Sequence, residues 1–537
     1  MSFKFKTVLK KFLNNKSKTI VSAAVILGAA SLVSRLLGLV RDRILAGTFG
    51  AGDELDIYYA AFRIPDLVYS LLVLGAISAG FIPVFVGYLK KDKEKSWYLA
   101  NSVLNLIGLS LVAACSVLII FTPWLMKLVA PGFSSEKLSL VVQLTRIMFL
   151  SPFFLGLSAV FGGILQSFRR FLIYALAPII YNLGIIFGAL FLVKYFGLLG
   201  LAYGVVIGAF GHMVIQIPTA WLCGFKWRPV FDYKFEGARR IFKIMPARVL
   251  SLALSQITFW VMTIFASFLA VGSIAVYNLS HNIWSFPLGI FGVSFVLAVF
   301  PKLSETAQKK DTVNFVKTFS MTARQILFFT LPATGLFIVL RTQIVQVVLG
   351  SGRFDPFDIL LTSETLAYFS LSLFAEALIL LFLRGFFAWE DTITPFLIGL
   401  LAVIVRISGA WLFSLYFGVS GLALGFSLGS ILYLILLFIA LRKKLGLLDG
   451  KNISVSGLKM IFASFFAVLA AYFSLQFLSG FAVLIQTGLA GIIGILIYFF
   501  FAWLFRLSEL NLFLASLFSR LPWKKLPRFG IGENNGR

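Results

Sequence analysis

Long uncharged apolar runs constrain this chain more than any other feature of its sequence. They are longest at residues 172–193, 249–301, 407–441 and 460–505. A membrane-spanning helix needs about 20 mostly apolar residues, so counting such runs along the chain gives about fourteen spans. With 60% of the residues hydrophobic and 13% charged, a water-soluble fold is excluded. The sequence predicts an all-α membrane protein, because a helix satisfies its backbone groups within one segment.

The loops between the apolar runs alternate in charge. Loops that carry Lys or Arg recur at every second position, at residues 90–95, 166–171, 226–243, 302–324, 384–394 and 442–459. Membrane proteins retain Lys and Arg on the cytoplasmic side. The basic tails, residues 1–18 and 511–537, then both lie in the cytoplasm. We expect a multi-pass protein of the bacterial cytoplasmic (inner) membrane.

The formal net charge of +26 raises the question of nucleic-acid binding. The charge is spread over short loops beside apolar spans and forms no single patch, so topology and contact with anionic membrane lipids explain it better. No nucleic-acid partner is expected. The basic start leads into a charged motif and further spans, which favours a retained first helix over a cleaved signal peptide.

The chain contains an internal repeat. Residues 195–210 read YFGLLGLAYGVVIGAF and residues 416–431 read YFGVSGLALGFSLGSI, an offset of 221 from 195 to 416. Small-residue motifs recur in membrane helices for packing reasons alone, but Pro65 and Pro287 match at almost the same offset. We predict a duplication. It gives two pseudo-symmetric six-helix lobes, 19–225 and 244–445, joined by a cytoplasmic loop, 226–243, and followed by two C-terminal helices in 446–510.

Charged side chains inside spans are concentrated in the first two helices, and each costs about 2.5–3.5 kcal/mol to insert. In the first helix, Arg35 and Asp42 share one face, with Gly38 between them and with Ser34 and Arg41 adjacent. Arginine binds phosphate in a bidentate manner, so this face predicts binding of an anionic headgroup. Alternatively, the charges only compensate one another inside the bundle, or Arg41 extends to the interface.

The second helix repeats the arrangement. Asp56 and Arg63 share one face, and Tyr59 lies on the same stripe. If the faces of the two helices meet, they enclose a cavity that is partly neutralised but net positive. Pro65 removes a backbone donor and bends or ends its helix, which is compatible with a gate.

Three polar residues of later spans are further candidates for a pathway or gate: Glu376, His281 and Asn282. Glu376 lies deep enough in its span to titrate. For His281, a neutral hydrogen-bonded imidazole is favoured over a proton relay.

Catalysis is not expected from this sequence. It holds two widely separated histidines and no HExxH motif, and the Gly-rich segment at residues 350–354 lacks the lysine of a phosphate loop. We therefore predict a protein that is not an enzyme and that needs no metal or cofactor. An ion gradient, the membrane potential or the supply of substrate has to drive any transport.

Several motifs occur together along the chain. They include SRLLGLVRD at 34–42, FG at 49–50, AFRIP at 61–65, GA at 75–76, FIP at 81–83, GILQ at 163–166, SQI at 255–257 and GRF at 352–354. In this combination the sequence resembles the MurJ (MviN) family of lipid II flippases over most of its length.

The resemblance implies the fold of the MOP exporter superfamily, in which two helical lobes surround a central cationic cavity. Arg35, Arg41, Asp42 and Asp56 fall on cavity positions of the family. The implied activity moves lipid II, the undecaprenyl-linked peptidoglycan precursor, from the inner to the outer leaflet for cell-wall synthesis and cell shape. Helices 13 and 14 are then expected to form a groove for the lipid tail. Expected partners are lipid II, membrane lipids and cell-wall synthesis proteins.

The chain departs from the family pattern at four positions. Tyr69, Ser70 and Leu74 stand where the family has an arginine pair and a glutamate, and Asn282 aligns with a cavity arginine. Fewer cations leave two alternatives open: an exporter of another polyprenyl-linked oligosaccharide, or a degenerate homologue that does not transport. A drug or cation antiporter of the same superfamily predicts an acidic cavity, which the remaining arginines disfavour.

Overall fold

The computed structural model describes residues 20–74, 80–446 and 448–518, and every regular element within these ranges is helical. Together with the long apolar helices given below, this confirms the predicted class of all-α membrane protein. Residues 1–19 and 519–537, which hold most of the two predicted basic tails, lie outside the described residues, as does the predicted GA motif at 75–76.

The helices described in the first half of the chain are α1 (Ile20–Phe49), α2 (Asp53–Val68), α3 (Ile82–Lys91), α4 (Lys93–Val129), α5 (Ser135–Met148), α6 (Leu150–Ser167), α7 (Phe171–Phe187), α8 (Val193–Phe196), α9 (Leu199–Val214) and α10 (Ile217–Leu222). Short π-helical turns follow α2 at Tyr69–Leu74 and α7 at Gly188–Leu192.

The helices described in the second half are α11 (Glu236–Ser267), α12 (Ser273–Pro287), α13 (Ser294–Gln308), α14 (Thr312–Val339), α15 (Arg341–Val348), α16 (Pro356–Ser370), α17 (Leu373–Ala388), α18 (Ile393–Leu445), α19 (Gly450–Phe477), α20 (Val483–Leu504) and α21 (Ser508–Phe518). A π-helical turn, Leu288–Val293, joins α12 to α13.

The number of membrane spans is consistent with the prediction. Within the described ranges, nine helical segments are long and apolar enough to cross a membrane, and the bent pair α16–α17 makes a tenth. The 53-residue helix α18 is two spans long, because Gly418 interrupts it with φ 55° and ψ −133°, a conformation open mainly to glycine. With α1, α2–α3 and α11, these segments agree with about fourteen spans.

The internal repeat is visible in the backbone. Gly197 has φ 56° and ψ −145° and separates α8 from α9, in the same way that Gly418 divides α18 at the corresponding place. A proline followed by a π-helical turn ends the second helix of each half, at Pro65 and at Pro287. Close contacts between the backbones of two helices also recur at the offset of 221 residues. They occur at the glycine pairs Gly188–Gly204 and Gly409–Gly425. These matches support a duplication over a chance recurrence of packing motifs.

The third span of each half begins at an aspartate on the side of the basic loops. Asp92 caps α4 by accepting the amides of Glu94 and Lys95, and Asp311 caps α14 by accepting the amide of Asn314. Hydrogen bonds from the Lys95 and Glu94 amides hold the pKa of Asp92 below its ordinary value. Hydrogen bonds from the side chain and amide of Asn314 do the same for the pKa of Asp311.

The two halves contact each other most closely at one end of the bundle, here called the closed end. It is formed by the loops at residues 50–52, 130–134, 268–272 and 349–355, which alternate with the basic loops along the chain. The amide of Gly132 donates to Ser267 Oγ at 3.1 Å, and the amide of Arg353 donates to the Gly47 carbonyl at 2.9 Å. One buried apolar cluster extends across this end from the first half into α12, α16 and α18.

Candidate functional site

Arg41 and Asp42 lie at the centre of a polar network that joins both halves. Arg41 donates to Asp42 Oδ1 at 2.8 Å and to Asn182 of α7 at 3.1 Å. From the second half, Asn282 of α12 donates to Asp42 Oδ2 at 2.9 Å. The Asp42 side chain is 2% exposed, whereas that of Arg41 is 22% exposed. The carboxylate is therefore fully engaged, whereas the Arg41 side chain remains partly accessible.

Arg35 reaches from α1 to the second half without using a carboxylate. Its guanidinium lies directly against the backbone of Gly289, so that a Cβ at Gly289 would be 2.2 Å from Arg35 Cζ. Arg35 and Ser34 are partly exposed, and open space lies next to Gly38. The predicted face of α1 thus borders the space between the halves. The guanidinium of Arg35 is available to an anion because Gly289 leaves room for it.

Arg63 is held by neutral groups of the second half. Its Nε donates to Thr263 Oγ1 and its Nη2 donates to Asn278 Oδ1, both at 2.7 Å. The guanidinium also lies over the Phe259 ring, 5.6 Å from its centroid. Arg63 is 9% exposed. These contacts fix its position between α11 and α12 and leave its charge without a carboxylate in direct contact.

Asp56 occupies a different place from the one expected. Its sequence position suggested a carboxylate that would balance the cavity arginines, but its side chain is 3% exposed at the closed end. There it accepts the amides of Gly272 at 2.7 Å and Ala275 at 2.8 Å. Asp56 of one half therefore caps the first turn of α12 of the other, where the positive end of the helix dipole favours an anion.

Glycines allow the backbones at the closed end to touch. Gly272 has φ +87°, and a Cβ there would lie 1.8 Å from the Ala51 carbonyl oxygen. Gly352 has φ +59°, and its Cβ would lie 2.2 Å from the Gly47 carbonyl oxygen. Side chains at these positions would hold the halves apart.

Charged groups add to the glycine contacts. Arg43 donates to the carbonyls of Val347 at 2.5 Å and Gly350 at 3.3 Å, and Asp358 accepts the amide of Ala51 at 2.9 Å. Arg43 thus joins α1 to the end of α15 and to the loop that follows it. All these bonds have to break before this end can open.

The remaining predicted residues do not join the arginine network. Glu376 forms an ion pair with Arg406 inside the second half, and the Arg406 guanidinium lies 4.6 Å from the Phe426 ring centroid. His281 contacts four aromatic rings, those of Phe259, Trp284, Phe369 and Phe426. His281 thus lies among aromatic rings, and the predicted hydrogen bond of its imidazole is not among the contacts of the described residues.

Tyr59 and Pro65 are buried in α2. Within the described residues, the Tyr59 hydroxyl has no hydrogen-bond partner. Pro65 precedes the π-helical turn at Tyr69–Leu74. Where the family carries its arginine pair, Tyr69 is partly buried and Ser70 Oγ accepts a hydrogen bond from Gln256 at 2.8 Å.

Asp66, which follows Pro65 directly, is a further carboxylate that the sequence pattern did not point to. It is exposed and borders a narrow cleft with Tyr69 and Ser151. Counted together, the three arginines at 35, 41 and 63 and the two carboxylates of Asp42 and Asp66 leave one excess positive charge (3 − 2). Among the described residues, no group of three or more His, Cys, Asp or Glu is placed to hold a metal ion.

Comparison with known proteins shows the family to which this chain belongs. The family model described as "Lipid II flippase MurJ" matches residues 45–489, most of the chain. The chain belongs to this family. It is 29% identical over 468 residues to a "Probable lipid II flippase MurJ" of Buchnera aphidicola subsp. Schizaphis graminum, which covers 86% of this chain and 90% of the relative.

Solved structures agree with the family. "Lipid II flippase MurJ, inward closed conformation" superposes with a TM-score of 0.75 at 26% identity, covering 92% of this chain and 100% of that one. An inward-facing MATE multidrug transporter of the MOP superfamily matches with a TM-score of 0.66 at 16% identity, covering 80% and 99%. The second likeness concerns the fold alone. The predicted family and superfamily fold are confirmed.

Proposed function

We propose that this protein is a lipid II flippase, which moves the undecaprenyl-linked peptidoglycan precursor between the leaflets of the bacterial cytoplasmic membrane. Its membership of the lipid II flippase MurJ family supports this function. The observation that carries the proposal is the position of two partly exposed arginines of α1. Arg35 lies against Gly289 of the second half, and Arg41 binds Asp42, which is itself bound by Asn282 of the second half. An accessible pair of guanidinium groups suits a diphosphate, because each binds phosphate oxygens in a planar, bidentate manner.

The headgroup enters from the side of the basic loops, since the opposite end is closed by contacts between the two halves. With the basic loops in the cytoplasm, this is the inner leaflet. The diphosphate binds Arg35 and the accessible part of Arg41. Rocking of the two halves about the site then opens the other end, as in transporters built from repeats.

Asp42 makes this binding reversible. Its carboxylate already accepts two bonds from Arg41 and one from Asn282. A substrate phosphate therefore competes with Asp42 for Arg41, and Asp42 recovers the guanidinium when the phosphate leaves. Transport proceeds without covalent change of the substrate, and an ion gradient or the membrane potential supplies the free energy.

The lipid tail remains in the bilayer and follows the headgroup along α19 and α20. Both helices present large apolar side chains to the outside, among them Phe477 at 86% and Leu484 at 68% exposure. In the cell, the exported headgroup supplies the enzymes of cell-wall synthesis, which are the proposed partners. Asn282 stands where the family has an arginine, and it donates a hydrogen bond to Asp42. This bond connects the two halves at the site, which has one cation fewer than in the family.

The test is complementation of a bacterium depleted of its own flippase, with lipid II accessibility at the outer leaflet as the readout. The wild-type chain should restore accessibility, and Arg35→Ala should not. Arg35 suits this test because its described contact is with the Gly289 backbone, so its removal leaves no carboxylate without a cation. Arg239→Ala, at an exposed position of the basic loop, is the matched control and should restore accessibility.

Other outcomes would change the role proposed for Arg35 or the substrate proposed for the protein. Equal rescue by well-expressed Arg35→Ala would remove Arg35 from the binding site. If wild type inserts but does not rescue, transport assays with other polyprenyl-diphosphate oligosaccharides in proteoliposomes would separate a different exporter from a homologue that does not transport.

A further inference from the structure

An apolar groove opens on the outer face of the first half, away from the arginine network. Its volume is about 490 Å³, within the range of about 300–1,000 Å³ that ligand pockets occupy. It lies between α4, α6 and the α9–α10 segment, and Phe153, Leu157, Phe161 and Ile217 form much of its wall. Leu109 and Trp221 at its rim are 56% and 62% exposed. An aliphatic chain from the surrounding bilayer fits such a site.

The groove is particular to the first half, although the fold is duplicated. Moving 221 residues along the chain, the offset of the repeat in this region, takes Ile217 to Phe438. In the second half, Phe438 lies against Phe382, with ring centroids 6.1 Å apart. A phenylalanine thus stands where the first half has the smaller Ile217 in the wall of the groove.

Two asparagines of α4 fasten a basic loop over one end of the groove. Asn101 donates to the Lys226 carbonyl at 3.0 Å and accepts the Arg228 amide at 2.7 Å. Asn105, which itself lines the groove, donates to the Arg228 carbonyl at 2.7 Å and accepts from Trp227 Nε1 at 3.0 Å. The backbone at Lys226 and Arg228 is therefore held beside Trp227, which lines the cavity, and both of their side chains are exposed.

We infer that this groove binds one anionic phospholipid of the membrane, with an acyl chain in the cavity and the phosphate at Lys226 and Arg228. The combination of an apolar cavity and a basic mouth at the membrane surface matches a lipid whose phosphate is joined to an aliphatic chain. Exposed Trp221 and Trp227, each 62% exposed, fit the interfacial level at which tryptophan accumulates. The site is separate from the substrate site, because no residue of the arginine network lines it.

Photo-crosslinking of the purified full-length chain tests this inference. The probe is phosphatidylglycerol with a diazirine on one acyl chain, and phosphatidylcholine with the same chain is the comparison. We expect phosphatidylglycerol to label peptides of α4, α6 and α10 preferentially. Lys226→Gln with Arg228→Gln should lower that labelling by about fivefold for each charge removed. Arg239→Gln with Arg240→Gln, both exposed beyond the groove, is the matched control and should label like wild type.

Two filling variants test the acyl-chain site independently of charge. Ile217→Phe copies the residue of the second half, and Leu109→Trp covers the rim if the first variant folds poorly. Either variant should abolish labelling of the groove. Leu128→Trp, at a 67% exposed position of the helix that also carries Leu109, should not. Equal labelling by both lipids, or labelling that survives filling, would overturn the inference. Displacement of the probe by stoichiometric undecaprenyl phosphate would assign the groove to the substrate's tail and also overturn it.

Discussion

The carboxylate of Asp56 accepts the amide of Gly272 at 2.7 Å across the interface between the two halves. The same carboxylate accepts the Ala275 amide, so it caps a helix that belongs to the other half of a duplicated fold. A residue that looked like a partner for the cavity arginines is instead part of the closed end. Its charge stabilises one conformation of the transporter.

Asp56→Asn should weaken the closed end. Asparagine keeps one acceptor oxygen but presents an N–H₂ group to the second amide, and each charged hydrogen bond contributes about 1.5–3 kcal/mol. A cysteine at Ser273, which is 2% exposed, should then react at least about tenfold faster with an impermeant maleimide. The measurement uses a chain without Cys115 and Cys223.

Asp53→Asn is the control for this change. Asp53 lies on the same helix but pairs with Lys137 of its own half. It should leave the Ser273→Cys reaction rate unchanged. Equal rates in the Asp56→Asn and wild-type backgrounds would contradict a role of Asp56 in closure.

Gly272→Ala should prevent full closure, because a Cβ would lie 1.8 Å from the Ala51 carbonyl oxygen. Gly197→Ala is the matched control, since Gly197 also has a positive φ, of +56°, but has nothing within 4 Å of its Cβ position. Both variants carry backbone strain of about 1–3 kcal/mol. Only Gly272→Ala should increase maleimide labelling at the closed end and abolish complementation. If both variants lost activity equally, strain alone would explain the effect.

Gly289→Ala should displace Arg35 with little effect on stability. The methyl group would occupy the place of the Arg35 guanidinium, which is the movable end of a flexible side chain. We therefore expect a thermal midpoint close to wild type and a loss of lipid II transport similar to that of Arg35→Ala. Normal transport by this variant would show that the position of Arg35 against Gly289 is not needed.

Arg41→Ala should destabilise the fold as well as remove a binding group. Asp42, which is 2% exposed, would lose its cation, and removing one partner of a buried pair costs about 3–5 kcal/mol. Arg41→Ala combined with Asp42→Asn should recover most of the stability, measured by thermal unfolding in detergent, but not the transport. Recovery of transport by the double variant would restrict Arg41 to a structural role.

The pair Glu376–Arg406 should contribute to stability only. Its side chains are 16% and 12% exposed, so Glu376→Ala should cost about 3–5 kcal/mol by leaving a buried guanidinium unpaired. Glu376→Ala with Arg406→Leu should restore both stability and complementation. A stable double variant without transport would indicate that Glu376 belongs to the transport pathway, as its position in the sequence predicted.

Much of the architecture follows from the sequence alone. The apolar runs predict spans because the bilayer admits only segments that satisfy their own backbone groups. The repeat at offset 221 predicts two related halves, and in the structure Gly197 and Gly418 break matching helices of these halves. The combination of motifs along the chain indicated the family, which the family model confirms over residues 45–489, and the motif SRLLGLVRD placed the arginines on α1. These features are local, since they depend on composition, spacing and backbone conformation within one segment.

Only the tertiary structure decided what each charge contacts. Asp42 and Asp56 each lie seven residues from an arginine of the same helix, yet one binds Arg41 and Asn282 and the other caps α12. The partners of Arg63 are 200 and 215 residues away in the chain. Helical spacing places a side chain on a face, but it does not say which neighbour meets that face. The packing of the two halves makes that choice, because a buried charge takes the partner that the opposing helix presents.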